Sequence, residues 1–133
     1  MRRVALALCP LLPVVALGQA CNPALPGGTQ LESRRFLLGF RTEPASPKPG
    51  KYFAVEISVC PKAGVPAPGT LAVDAVMPEH GHGMNYKAQL NTQASGHYVA
   101  SGLMFHMPGR WELFFDVRSG DRTDRLMRTI IVQ

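Results

Sequence analysis

The feature that most constrains the fold is a period-two alternation of apolar and polar side chains in short runs. The clearest run is Tyr52–Cys60, whose apolar positions are Phe53, Val55, Ile57 and Val59. Such alternation predicts half-buried β-strands, because successive side chains of a strand point to opposite faces of its sheet. Similar runs occupy residues 34–41, 71–77 and 111–117.

Turn-forming residues separate these runs and limit the fold class further. The chain contains 13 glycines and 12 prolines, and many of them fall between the alternating segments, as in residues 43–50 and 61–69. About seven short strands with such connections favour an all-β fold, a single antiparallel β-sandwich of the immunoglobulin-like type. A small barrel is the alternative. Trp111 is expected to fill the core of this domain.

The first twenty residues have the organisation of a secretory signal. Arg2 and Arg3 precede an apolar stretch from Val4 to Leu17, and Gly18-Gln19-Ala20 resembles a cleavage site. A membrane anchor is the alternative, although the stretch is shorter than the roughly 20 residues of a spanning helix. We therefore predict a signal peptide at 1–20, an extended arm at 21–32, a β-sandwich domain at 33–133, and a periplasmic or other extracytoplasmic location.

Two cysteines remain after the predicted signal, at positions 21 and 60. An even pair in an oxidising compartment predicts a disulfide between Cys21 and Cys60. The alternative is that Cys21 is the lipidated first residue of a lipoprotein, but Gly18 stands where such signals usually carry an aliphatic residue.

Charge and motifs argue against several classes of function. Without residues 1–20 the formal charge falls from +5 to +3, because only Arg2 and Arg3 are lost. No Lys/Arg run is interleaved with aromatic residues, so nucleic acid is not an expected partner. No later apolar run would span a bilayer, and no nucleophile elbow or phosphate-binding glycine loop is present. We expect a protein that is not an enzyme.

Histidine and methionine are concentrated in one part of the chain. All four histidines and four of the six methionines lie between Met77 and Met107. One segment reads Met77-Pro-Glu-His-Gly-His-Gly-Met84, and the other reads Met104-Phe-His-Met-Pro-Gly109. Imidazole with thioether suits copper, and the soft thioether favours the cuprous ion over the cupric ion.

The candidate copper ligands come from both segments: His80, His82, Met84, His106, Met77 and Met107. If residues 80–84 were extended, the alternating ligands would project to one side, and Gly81 and Gly83 would let the backbone fold closely around an ion. The competing interpretation treats the methionines as core residues and the glycine-histidine loop as a tight hairpin. The metal hypothesis requires the two segments to meet at one end of the sandwich.

The two segments also resemble a known family. Residues 73–84, followed by Gly96-His-Tyr98 and then Gly102-Leu-Met-Phe-His-Met-Pro-Gly-Arg-Trp-Glu-Leu113, resemble the YtkA-like/FixH-like family of small envelope domains. The resemblance covers roughly residues 50–133. It implies an immunoglobulin-like sandwich with copper-binding or accessory function around His80, His82 and Met84, since some members take part in copper handling and cytochrome oxidase assembly.

This chain differs from FixH-like proteins in two respects. It has no comparable membrane helix after the predicted signal, and it carries the Cys21/Cys60 pair. The resulting expectation is an exported copper-binding accessory protein or metallochaperone, whose partner would be an envelope cuproprotein or an oxidase-assembly factor. A metal-free envelope interaction module is the alternative.

Overall fold

The computed structural model describes residues 20–133, so the predicted signal peptide, apart from Ala20, lies outside the described residues. They form nine strands and one turn of 3-10 helix at Pro78–His80. The strands are β1 Thr29–Glu32, β2 Phe36–Glu43, β3 Tyr52–Pro61, β4 Thr70–Met77, β5 His82–Gly83, β6 Gln89–Ala94, β7 His97–Met104, β8 Gly109–Ser119 and β9 Arg122–Val132.

The strands form two antiparallel sheets that pack face to face. One sheet has the order β1-β2-β3-β7-β6, and the other has the order β5-β4-β8-β9. All seven strand pairings are antiparallel. The predicted all-β antiparallel sandwich is therefore confirmed.

The core lies between the sheets and follows the alternation read from the sequence. In β3, the four apolar positions from Phe53 to Val59 are all at most 4% exposed. In β8, Trp111 and the alternate residues to Val117 are fully buried. Trp111 packs against Phe105 with ring centroids 5.1 Å apart. Burial of this apolar surface is the main stabilising contribution to the fold, and the predicted core position of Trp111 is confirmed.

The strands differ from the predicted ones in number and in their ends. β1 forms within the predicted arm, where Thr29–Glu32 pair with residues 37–40 of β2. β6, at Gln89–Ala94, pairs with β7 at the edge of the larger sheet. β5 is only two residues long and exists because Val76 and Met77 of β4 provide its pairing partners. These elements depend on a neighbouring strand rather than on their own apolar pattern.

The first described residues cover the outer face of the larger sheet. Pro23 is buried there, and its carbonyl oxygen approaches Gly39 so closely that a Cβ at that position would lie 1.7 Å from it. Cys21 is bonded to Cys60, with Cα atoms 5.7 Å apart, so the predicted disulfide is confirmed. Glycine in β2 allows the arm to pack on the sheet, and the disulfide ties it there.

The register of β3 with β7 defines two ends of the sandwich. Tyr52 pairs with Met104 at one end, while Ser58 pairs with His97 toward the other. We call the first end the rim, formed by residues 77–84 and 104–111, and the second the distal end, which contains Cys60 and the β8–β9 turn. About 3.3 Å per residue over the length of β7 places the two ends roughly 20–25 Å apart.

Candidate metal centre

The first His/Met segment forms the hairpin that joins β4 to β5. Pro78–His80 make one turn of 3-10 helix, and Gly81 ends it in the left-handed region with φ of 65°. The backbone N–H of Gly81 donates to the carbonyls of Met77 and Pro78. Glycine is favoured here because it adopts positive φ without steric cost. His80 is therefore exposed on a turn, and His82 is half-buried in β5.

The local geometry differs from the extended segment considered from the sequence. His80 lies in the 3-10 turn, whereas His82 pairs with Met77 across the β4–β5 ladder. The alternating projection of His80, His82 and Met84 from one extended run does not occur. Proline at the first helical position explains the turn, because its fixed φ suits a helix start.

The second segment connects β7 to β8 at the same rim. Phe105 is fully buried, and its carbonyl accepts a hydrogen bond from the N–H of Gly50 at 2.8 Å. His106 and Met107 follow and are half-buried. The buried phenylalanine anchors the connection, so the next two side chains are held at the end of the core.

The two segments meet at the rim although they are distant in the sequence. The ring centroids of His82 and His106 are 5.0 Å apart, and those of His80 and His82 are 5.6 Å apart. Both His82 and His106 lie against the Trp111 ring, at 6.0 and 5.2 Å. The three predicted histidines thus form a chain of neighbouring rings, with His82 in the centre.

The hydrogen bonds of the imidazoles leave nitrogen atoms available. The Nδ1 atom of His106 is buried and has no hydrogen-bond partner among residues 20–133, which is costly unless a ligand or solvent satisfies it. The Nδ1 atom of His82 lies 3.3 Å from the carbonyl oxygen of Gly83. If that nitrogen carries the proton and donates to the carbonyl, Nε2 keeps a free lone pair, as in many metal-binding histidines.

The predicted thioether ligands are nearby but packed on the core. Met77 is 1% exposed, and its Cε fills the space beside Gly109. It also faces His82 across the ladder, where opposed Cβ atoms lie about 4.5–5.5 Å apart. Met84 and Met107 are partly buried against the same core. All three methionines therefore line the rim, and Met77 serves as a packing residue.

Arg110 forms ion pairs with two carboxylates, Glu79 in the rim and Glu112 next to it. Nε of Arg110 lies 3.0 Å from a carboxylate oxygen of Glu79, and one terminal nitrogen lies 3.1 Å from Glu112. The hydrogen bond to Glu79 is the main cause that raises the pKa of Arg110 above its usual value. Within residues 20–133, no group of three or more His, Cys, Asp or Glu side chains is arranged to hold a metal ion.

Neither this ion-pair network nor the contact of both imidazoles with Trp111 was predicted from the sequence. Glu79 adjoins His80, and Arg110 directly precedes Trp111 after the Pro-Gly turn. That adjacency was the available signal. The fold places the 3-10 turn beside β8, and this brings Arg110 to Glu79.

The remaining histidine lies away from this cluster. His97 is exposed at the start of β7 and pairs with Ser58, toward the distal end. Because it lies away from the rim, His97 can serve as a control residue for substitutions of the rim histidines.

Comparisons with known proteins add no assignment. No family model, curated protein or solved structure matches this chain. The resemblance to YtkA-like/FixH-like domains therefore stays a prediction. Within residues 20–133, no helix combines the length and apolar character needed to span a bilayer.

Proposed function

We propose that this protein is an exported copper-binding accessory protein that holds a cuprous ion at the rim and passes it to a partner in the cell envelope. The observation that carries the proposal is the convergence of His82 and His106, whose ring centroids are 5.0 Å apart. Two imidazoles so close, one with a buried nitrogen lacking a partner, can bind one ion together.

The donor chemistry at the rim supports copper in particular. Imidazole nitrogen binds several transition metals, but thioether sulfur selects the soft cuprous ion. Met77, Met84 and Met107 pack on the core at the same rim, whereas Glu79 is engaged by Arg110. His82 and His106 are the proposed central ligands. His80 and the thioether of either Met84 or Met107 would complete the ligand set after a local movement of their side chains.

The exposure of these residues supports transfer rather than permanent storage. His80 is exposed, and His82 and His106 are half-buried. A partner can therefore reach the ion by replacing one ligand at a time. This role would place the protein outside the cytoplasm, and the Cys21–Cys60 disulfide is in keeping with an oxidising compartment. The partner would be an envelope cuproprotein or an oxidase-assembly factor.

The proposal is tested by titrating residues 21–133 with Cu(I), using ascorbate as reductant and a chromophoric Cu(I) chelator as competitor. We expect one tightly bound ion per chain in the wild type. His82→Ala combined with His106→Ala should remove most of that affinity, because both central imidazoles are lost. The chain's single tryptophan, Trp111, adjoins both rings and provides an independent fluorescence signal.

The matched control is His97→Ala, which removes an exposed histidine toward the other end. It should bind Cu(I) as the wild type does. Copper affinity that is unchanged in the double variant, or lost equally in His97→Ala, would refute the rim site.

A second candidate function, a metal-free interaction module, is favoured by a specific observation. No three-donor group of His, Cys, Asp or Glu occurs within residues 20–133, and Met77 is fully used in packing. In that case copper would leave the thermal stability unchanged. A copper-binding domain should instead gain about 2.7 kcal/mol when free ligand is at 100 times Kd, since the ligand binds only the folded state.

A further inference from the structure

One carboxylate stands beside the proposed ligands. Glu79 belongs to the same 3-10 turn as His80, and its carboxylate accepts a hydrogen bond from Nε of Arg110 at 3.0 Å. Arg110 also donates to Glu112 at 3.1 Å. Two acceptors thus orient a single guanidinium, and it holds Glu79 against β8.

Glu79 matters because carboxylate changes the metal preference of an imidazole site. Two or three imidazoles with a carboxylate form a typical zinc site, whereas imidazole with thioether suits cuprous copper. A nearby guanidinium also repels a divalent cation about twice as strongly as a monovalent one. Both effects act in the same direction, against divalent ions.

We propose that Arg110 determines the metal specificity of the rim by withholding Glu79 from the cluster of His80, His82 and His106. With Arg110 in place, the cluster offers nitrogen and sulfur donors but no anionic oxygen, which lowers its affinity for zinc relative to an imidazole–carboxylate site. This inference rests on the proposed function, because it assumes that the cluster binds a metal.

The ion pair itself is a weak source of stability, which makes the proposal testable. Arg110 is 39% exposed and Glu79 is 58% exposed at the side chain, and pairs so open to solvent add little to folding stability. Replacing Arg110 should therefore leave the protein folded. Arg110→Met keeps much of the aliphatic stem and removes only the guanidinium.

The test measures zinc binding, by competition with a chromophoric zinc indicator, and Cu(I) binding for four proteins based on residues 21–133. These are the wild type, Arg110→Met, Glu79→Gln, and the double variant. Arg110→Met should bind Zn²⁺ at least about tenfold more tightly than the wild type. The double variant should lose this gain, because glutamine does not supply the anionic ligand.

The matched control is Arg118→Met, which makes the same substitution on the same strand, toward the distal end of β8. It removes one positive charge from the protein as a whole and should leave zinc affinity unchanged. A general charge effect would instead appear in both arginine variants.

The results separate this inference from the proposed function. Unchanged zinc affinity in Arg110→Met, or a gain that persists in the double variant, would overturn the role of Arg110. A wild-type chain that binds no Cu(I) would overturn the proposed function, whatever the zinc result. A wild type that prefers Zn²⁺ to Cu(I) would also contradict the specificity argument.

Discussion

Asp124→Asn should destabilise the protein in a pH-dependent way, because this carboxylate joins the two sheets at the distal end. Its oxygens accept hydrogen bonds from the Ser33 hydroxyl at 2.6 Å and from Nε of Arg35 at 2.7 Å. The backbone N–H of Arg35 adds a third, at 3.2 Å. Ser33 and Arg35 lie in the turn between β1 and β2, whereas Asp124 belongs to β9.

The size of the effect follows from burial and charge. The side chains of Arg35 and Asp124 are only 16% and 14% exposed. A hydrogen bond to a charged group contributes about 1.5–3 kcal/mol, and breaking a fully buried ion pair costs about 3–5 kcal/mol. Because this pair retains some solvent contact, we expect Asp124→Asn to lower the free energy of unfolding by about 2 kcal/mol at pH 7.

The pH dependence follows from the direction of the pKa shift. Burial by itself raises the pKa of Asp124, but the hydrogen bonds from Ser33 and Arg35 outweigh it and bring the pKa below its usual value. The folded state therefore favours the carboxylate more than the unfolded state does. The resulting stabilisation is complete above the unfolded pKa, about 3.9, and is lost as the pH falls through the folded pKa.

The assay is urea unfolding of the wild type and Asp124→Asn across pH 7 to 2.5, followed by the fluorescence of Trp111. The difference in the free energy of unfolding between the wild type and Asp124→Asn should be constant above about pH 5 and should shrink steadily below about pH 4. Equal stability at pH 7 would refute the proposed role of the pair. A difference that does not change with acid would show that lost packing, rather than lost charge, is responsible.

Two further substitutions test how the structure is held together. Trp111→Phe removes the indole N–H that donates to the carbonyl of Met107 at 3.1 Å. The free energy of unfolding should fall by about 1–3 kcal/mol, and Cu(I) binding should weaken in the chelator competition. Unchanged copper affinity would mean that Trp111 does not position the rim. Replacing both Cys21 and Cys60 by serine opens a loop with a sequence separation of 39. In the chain-entropy model this lowers the free energy of unfolding by about 3–4 kcal/mol, which urea unfolding would measure. Copper binding should stay unchanged, because the disulfide is at the distal end.

The strand interiors could be predicted because each carries its own information. In β3 and β8 the apolar side chains recur at every second residue, and that period matches the geometry of a strand with one buried face. The turn at Gly120, across which Ser119 pairs with Arg122, also has a local cause, because Ser119-Gly-Asp contains turn-forming residues. The Cys21–Cys60 disulfide followed from the cysteine count and the predicted compartment.

The sequence by itself therefore determined the fold class, the buried residues and the disulfide, because these depend on local periodicity and on side-chain chemistry. It also indicated which residue types were available for a metal. Only the tertiary structure decided that His82 and His106 adjoin, that Met77 packs in the core, and that Arg110 engages Glu79. The contact between Arg110 and Glu79, for example, joins residues 31 positions apart. Such contacts depend on strand order and register, which no short stretch of sequence specifies.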